Sequence, residues 1–251
     1  MTALPELPSA YHLCPYDSID STNEEAKRQA ESGAEDGTLI WAKEQTAGRG
    51  RYGRQWQSPP GNLYCSLITR PDCAPSEAAE LGFVTSLGMA DAIGSLVPPM
   101  IEVTFKWPND ILVNGRKAAG ILLESSSKPD GTLDWLVVGT GLNIVSHPEE
   151  SRYPATNLLL EGAHGLAVED VLQAYARHLL GWINRWLDDG FRPIRAAWLN
   201  RAMGQGEEIE VRFNDKTVSG TFADLDETGA LLLDAPEGRL TINAADIYPI
   251  R

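Results

Sequence analysis

Lys43, Arg49, Arg51 and Arg54 crowd one short stretch against a single acid, Glu44, in a chain of 251 residues whose formal net charge is -14. A basic island on an acidic protein points to an anionic ligand; a solvated basic loop is the alternative. Gly48, Gly50 and Gly53 interleave with these arginines. Their spacing fits neither the phosphate loop G-x-x-x-x-G-K-[ST] nor the G-x-G-x-x-G turn that opens a helix. What remains is backbone that can approach a ligand, guanidiniums that grip phosphate oxygens two at a time, and the flat indole of Trp56 as a surface for a purine.

A second stretch with chemical content is Lys106-Trp107-Pro108-Asn109-Asp110, followed by Arg116-Lys117. Asp110 taken alone reads as a turn acid, because Asn and Asp favour turns. Paired with Lys117 across a hairpin, it becomes a carboxylate and an ammonium at one cleft, suited to an anionic phosphorus centre and a cationic amine. His12, His147, His164 and His178 show no spacing of a metal triad and read as surface or packing residues. No side-chain cluster is expected to hold a metal by itself.

These groups need elements to position them. Ser21 to Gly33 predicts a polar surface helix, with Ser21 and Glu24 as a capping box and Gly33 as its stop. Thr38 to Lys43 predicts a strand that runs into the glycine-arginine loop. Asn62 to Thr69 alternates as a strand with Leu63, Cys65 and Leu67 on one side. Ser76 to Leu96 reads as a buried helix ended by Pro98-Pro99. Val103 to Lys106 is a strand, and Ile111 to Val113 and Lys117 to Glu124 flank Asn114-Gly115, a strong hairpin signal. Leu133 to Ile144 is a strand interrupted by Gly139 and Gly141, which suggest close approach of the backbone to a neighbour or a ligand. From Val168 to Trp186 apolar residues recur at helical spacing, and a short helix is expected at Ile194 to Arg201. Beyond Gly204-Gln205-Gly206, short strands separated by Asn214-Asp215 and Glu227-Thr228-Gly229 predict a small β barrel. The domains are therefore placed at 1–203 and 204–251, in an α+β chain with helices packed on a mixed sheet and a β appendix.

The composition, 43% hydrophobic and 22% charged, is that of a globular protein. No apolar run approaches the ~20 residues of a membrane span, and Met1 to Ala10 lacks the marks of a secretory signal, so a cytoplasmic location is expected. Cys14, Cys65 and Cys73 have neither metal nor disulfide spacing and read as reduced thiols, Cys65 inside a strand. The acidic charge disfavours nucleic acid and anionic membrane as partners, in the C-terminal segment too, where acids outnumber bases.

Taken together, Ser21-Thr22-Asn23, Gln45 with Gly48 to Trp56, Asn62-Leu63-Tyr64, Lys106 to Asp110, Lys117 to Glu124 and Gly139-Thr140-Gly141-Leu142-Asn143 stand in the order found in bacterial biotin protein ligases of the BirA type, which the chain resembles. The likeness is weaker through the later helices and returns at Gly229 to Leu233. It implies a catalytic domain related to class II aminoacyl-tRNA synthetases and a C-terminal SH3-like barrel. It also implies ATP and Mg²⁺ as cofactors and biotin as substrate. The acceptor would be the biotin carboxyl carrier protein domain of acetyl-CoA carboxylase or a related carboxylase. The motifs begin about twenty residues from Met1, so the helix-turn-helix of bifunctional relatives is not expected, nor is repression of transcription.

By the same resemblance, Ser21, Thr22, Asn23, Gln45 and Gly120 would line the biotin pocket, with Arg49, Gly50 and Arg51 closing over the ligand. Lys117 would contact the biotin carboxylate and the α-phosphate. Arg49, Arg51, Arg54, Asn109 and Lys117 would bind ATP, with Trp56 on adenine and Asn143 on ATP or its metal. Asp110 would face the acceptor lysine, and Lys117, Asp110 and Arg51 form the catalytic set. The C-terminal segment could pack, contact the acceptor or close over ATP, and a homodimer stays open because sheet edges can pair. A lipoate or octanoate ligase shares the general fold but carries an Arg-Arg-x-x-Gly-Gly-Gly pattern that is not found here. A non-catalytic binding module is the alternative from another class; turnover separates it.

Overall fold

The structure, a computed structural model, describes residues 4–151, 153–213 and 216–249. The chain runs β1 (His12–Ile19), α1 (Thr22–Glu31), β2 (Thr38–Gln45), β3 (Leu63–Thr69), α2 (Pro75–Ala78), α3 (Leu81–Leu96), β4 (Val103–Lys106), β5 (Asp110–Val113), β6 (Arg116–Ser127) and β7 (Leu133–Leu142), followed by α4 (Val168–Asp189) and α5 (Phe191–Leu199). The seven strands form one sheet in the order β1-β2-β3-β7-β6-β5-β4. Only β1 and β2 pair in parallel; the remaining neighbours are antiparallel, which makes the sheet mixed as expected.

Alternation of side chains along the strands distributes them over two cores. Leu39 and Trp41, Leu63, Cys65 and Leu67, and Leu136 and Val138 face the main core, which α3, α4 and α5 cover. Ile40, Ile68, Trp135 and Val137 point the other way, under Ala26 and Ala30 of α1. A strand buried on both faces reads as a nearly continuous apolar run. That is the pattern of β3 and β7.

Several expectations shift. Ser21 precedes α1 without a side-chain cap bond, so the capping box does not form; instead Gln45 Oε1 accepts from the Thr22 backbone N–H at 2.8 Å. The helix expected from Ser76 to Leu96 breaks into α2 and α3, and the one expected at Ile194 to Arg201 begins earlier, at Phe191. Strand β1 escaped the sequence reading because Pro15 interrupts it; as an edge strand it tolerates a residue with no N–H to donate. Asn114 and Gly115 take φ of 49° and 72°, the left-handed pair that a tight hairpin requires.

The C-terminal segment forms a five-stranded antiparallel sheet from β8 (Glu208–Arg212), β9 (Thr217–Leu225), β10 (Leu231–Ala235), β11 (Gly238–Ile242) and β12 (Asp246–Pro249), in the order β11-β10-β9-β8-β12. The turn expected at Asn214-Asp215 lies outside the described residues. The turn at Glu227-Thr228-Gly229 docks this sheet on the larger one. Gly229 has φ of 83°, its carbonyl accepts from Trp107 Nε1 at 3.0 Å, and a Cβ there would come within 2.5 Å of the Phe83 ring. Only glycine meets both demands. No described helix is long and apolar enough to cross a membrane.

Candidate functional site

The face of the sheet that α1 covers continues beyond the helix as an open floor. On β7, Trp135 and Val137 fill the space under α1, and the next two residues on the same face are Gly139 and Gly141. Gly141 pairs with Gly120 of β6, and Gly120 pairs with Asp110 of β5, which in turn faces Lys106 of β4. Two missing side chains thus leave a trough that ends on a carboxylate and an ammonium. The volume of this cleft is about 340 Å³.

Every residue named as a site candidate from sequence lines this one cleft. Ser21, Thr22, Asn23 and Gln45 stand at one end, where Ser66 Oγ donates to Asn23 Oδ1 at 2.6 Å and lies in hydrogen-bond contact with Thr22 Oγ1 at 2.8 Å. Asn23 rests on Gly139, where a Cβ would fall 1.9 Å from Asn23 Oδ1. The close approach suggested by Gly139 and Gly141 is therefore to Asn23 and to Trp56. Gln45 Nε2 donates to Ser58 Oγ at 2.8 Å, so the polar end of the cleft is fixed by its own hydrogen bonds.

Trp56 lies across the floor: a Cβ on Gly141 would be 2.6 Å from its Nε1, and one on Gly120 3.2 Å from its six-membered ring. Its indole Nε1 is buried and has no hydrogen-bond partner among the described residues. Lys117 Nζ lies 5.4 Å above the ring centroid.

Lys117 reaches the cleft through a β-bulge. Asp110 pairs with Gly120 and Ile111 with Ala119, but Leu112 pairs with Lys117, so Ala118 is the extra residue. The bulge turns Lys117 onto the face that Gly120 occupies, which regular alternation would deny it. The 154–156 segment pins this geometry, with Lys117 N–H donating to Pro154 O at 2.8 Å and Thr156 N–H to Lys117 O at 2.9 Å.

Asp110 is gripped by two ammoniums, Lys117 Nζ at 2.5 Å from Oδ1 and Lys106 Nζ at 3.3 Å from Oδ2. Burial alone would raise its pKa; Lys117 and Lys106 outweigh burial and hold the carboxyl below the usual carboxylate range. Burial pulls the Lys106 ammonium below the ordinary lysine value, with Asp110 opposing. A carboxylate so stabilised is a weak base, so it can orient an ammonium better than it can remove a proton.

The glycine-arginine loop borders the cleft with a single 3-10 turn at Arg51–Gly53 and is held by acids on two sides. Arg49 pairs with Glu24 of α1. Arg54 pairs with Asp246 of β12 at 2.5 Å, and Arg51 lies 3.8 Å from the same carboxylate. Arg51 Nη1 also donates to Asn109 Oδ1 at 3.2 Å, and Asn109 Nδ2 donates to Ile121 O at 2.6 Å. Gly50 N–H donates to Arg54 O at 2.7 Å, closing the loop on itself. Asn143 is buried and spends its Nδ2 on Thr156 O at 3.1 Å.

Sequence reasoning missed Asp246, Tyr248 and Tyr153, which also line the cleft. The rings of Tyr153 and Tyr248 sit 6.4 Å apart, with Lys106 Nζ 5.0 Å and 5.2 Å from their centroids. Asp246 and Tyr248 come from β12, so the C-terminal sheet contributes directly to the cleft. Lys106 was visible within its motif, but its burial was not. Among the described residues no three His, Cys, Asp or Glu side chains are grouped to hold a metal.

Residues 54–200 match the Biotin/lipoate A/B protein ligase family, and residues 205–248 match the Biotin protein ligase C terminal domain. A biotin–[acetyl-CoA-carboxylase] ligase of Paracoccus denitrificans is 40% identical over 234 residues, covering 91% of this chain and 97% of the relative. The bifunctional ligase/repressor BirA of Bacillus subtilis is 34% identical, covering 94% of this chain and 73% of the relative. Among solved structures, the biotin protein ligase of Aquifex aeolicus in complex with biotin and ATP superposes with a TM-score of 0.79 at 28% identity, covering 94% of this chain and 97% of that one. With its motifs in order along one cleft and these relatives matched over nearly its whole length, the chain belongs to the biotin protein ligase family.

Proposed function

We propose that the chain joins biotin to a protein lysine in two half-reactions, using ATP to form biotinyl-5'-AMP with release of pyrophosphate and then transferring biotin to a biotin carboxyl carrier protein domain. The observation that carries this reading is the convergence of Lys117, Asp110 and the arginine loop on a glycine-floored cleft. Biotin would lie along Gly120 with its ureido ring against Ser21, Thr22, Asn23 and Gln45. Lys117 would sit between the biotin carboxylate and the α-phosphate, and Arg49, Gly50 and Arg51 would close over both. Two anions must meet in the first step, and preorganised cations offset their repulsion; loss of one such donor costs on the order of 10²–10³ in rate.

Arg49, Arg51, Arg54 and Asn109 would take the phosphates, Trp56 would wall the adenylate, and Asn143 would help hold ATP or its metal. Mg²⁺ commonly keeps its waters and binds through substrate phosphates with one or two carboxylates. The donors here fit such a phosphate-held ion, since the cleft offers Glu150 and Asn143 beside carboxylates already engaged by lysines and arginines. That ion would neutralise phosphate charge. Glycines in the loop would let it move as a lid over an anhydride that water destroys.

In the second step Asp110 would receive and orient the acceptor ammonium once Lys117 has turned to the ligand; after its proton passes to solvent, the amine would attack the acyl carbon, the C–N bond forming as the acyl C–O bond to phosphate breaks and AMP departs. The reading assigns the chemistry to residues 1–203, in a domain of the class II aminoacyl-tRNA synthetase type, and gives 204–251 the character of an SH3-like barrel. It extends to a cytoplasmic enzyme acting on acetyl-CoA carboxylase or a related carboxylase, with the free edge of β1 open to a second copy.

Mass spectrometry of the protein with biotin, Mg-ATP and an acceptor domain tests the proposal against a Lys117→Ala control. Adenylate followed by acceptor mass gain, both lost in the control, is the expected outcome. Transfer of lipoate or octanoate in place of biotin would keep the fold reading and overturn the substrate; no product of either kind would leave a binding module.

A further inference from the structure

Asp110 shares its two oxygens between two lysines of unequal freedom. Lys117 borders the open cleft with 27% of its side chain exposed. Lys106 is buried at 4% exposure, its ammonium set against the faces of Tyr153 and Tyr248 and 3.3 Å from Asp110 Oδ2. An anionic ligand in the cleft can draw Lys117 away; it cannot draw Lys106 without dismantling contacts from β4, the 143–167 connection and β12. From this asymmetry we infer that Lys106 is a positioning residue for the transfer half-reaction, holding Asp110 Oδ2 in place and ionised while Oδ1, vacated by Lys117, takes the acceptor ammonium. The inference rests on the role proposed above for Asp110.

The physical need is specific. A buried carboxylate left without a cation is driven toward its neutral form, in which it no longer attracts an ammonium. The charged and titratable groups facing the pair are Lys117 from β6, Asp246, Tyr248 and Arg54 from β12 and the loop, and Tyr153. Between the departure of Lys117 and the arrival of the acceptor ammonium, the repulsion that Lys117 exerts on Lys106 is relieved, so Lys106 holds its proton more firmly while it is the one lysine paired with Asp110. The ring faces favour the ammonium as well. No bond to substrate is required of Lys106; it acts through Asp110.

The test measures the half-reactions separately in the full chain: adenylate formation from biotin and Mg-ATP, and single-turnover transfer from preformed biotinyl-adenylate to a carrier domain. Lys106→Met is expected to slow transfer roughly 10- to 100-fold, the size of one lost hydrogen bond to a charged group, with adenylate formation little changed. Its transfer rate should fall off at higher pH than in the unaltered enzyme on the acid side, because Asp110 protonates more readily. Lys106→Arg should restore part of the rate, and Lys106→Met combined with Asp110→Asn should be no slower than Asp110→Asn alone. If Asp110→Asn slows transfer selectively while Lys106→Met slows both half-reactions alike, the inference fails and Asp110 keeps its role. If Asp110→Asn slows both alike, the role of Asp110 itself falls. Should Lys106→Met not fold, carbon-13 titration of the unaltered enzyme with biotinyl-adenylate bound decides the matter. The Asp110 carboxyl should still titrate below the ordinary carboxylate range, and a return to the ordinary value or above would overturn the inference.

Discussion

Asp246 Oδ2 lies 2.5 Å from Arg54 Nη2, so a carboxylate near the C-terminus of the chain holds a loop that begins some two hundred residues earlier. Arg51 shares that carboxylate, and Arg49 is tied to Glu24 on the opposite side. The loop is thereby strapped at both ends across the mouth of the cleft.

Asp246→Asn should loosen one strap. Arg54 is half exposed, and pairs of that kind contribute ~0.2–1 kcal/mol, so the expected change is about 1.4- to fivefold. It should appear as faster escape or hydrolysis of preformed adenylate in the absence of acceptor. Unchanged escape would mean that the strap does not govern the lid.

Lys117→Ala should lower adenylate formation by on the order of 10²–10³, since it removes a preorganised cation from the site of anionic contact. Pyrophosphate release reports this directly. Release within tenfold of the unaltered enzyme would show that the arginine loop carries the first step alone.

Gly141→Ala would place a Cβ 2.6 Å from Trp56 Nε1. Overpacking of this kind costs ~1–3 kcal/mol, and the indole is the neighbour that must give way. Biotin should bind more weakly while thermal stability falls modestly. In a Trp56→Ala background the same change should cost little further stability; an equal cost there would place the clash elsewhere.

Acid should weaken the protein through Asp110. Its folded carboxyl titrates below the usual range, so its contribution is complete above the ordinary aspartate value of ~3.9 and disappears as pH falls through the folded value. The stability difference between the unaltered protein and Asp110→Asn should be constant near neutrality and shrink below about pH 4. Denaturant unfolding at several pH values measures it; a difference that grows in acid would reverse the sign assigned here.

The parts of the site that were legible in the sequence are those in which chemistry and backbone signal fall in one segment. Arginines alternate with glycines from Gly48 to Arg54, and Asn114-Gly115 marks the hairpin that brings Lys117 back toward Asp110. What stayed hidden depends on geometry that no local pattern records. The bulge at Ala118 turns Lys117 by one side of the strand, and a sequence gives no sign of one extra residue in a ladder. Asp246 and Tyr248 reach the cleft only because β12 pairs with β8. Glu24 looked like a capping residue and instead meets Lys27 and Arg49, since Gln45 had already satisfied the first helical N–H. Glycines 139 and 141 signalled a close approach, but which groups approach was decided by strand order.

The hydrogen bond from Trp107 to the carbonyl of Gly229 joins the turn between Lys106 and Asp110 to the outer sheet. Severing the chain near Gly204 would therefore not release an intact catalytic body from a dispensable accessory. It would bare the Phe83 ring, orphan a buried indole N–H and unsettle the turn on which both charged residues stand. A shortened protein that lost activity would report on this broken seam before it reported on any recognition by the outer sheet. Point changes on the facing surfaces, with the seam left whole, separate the two.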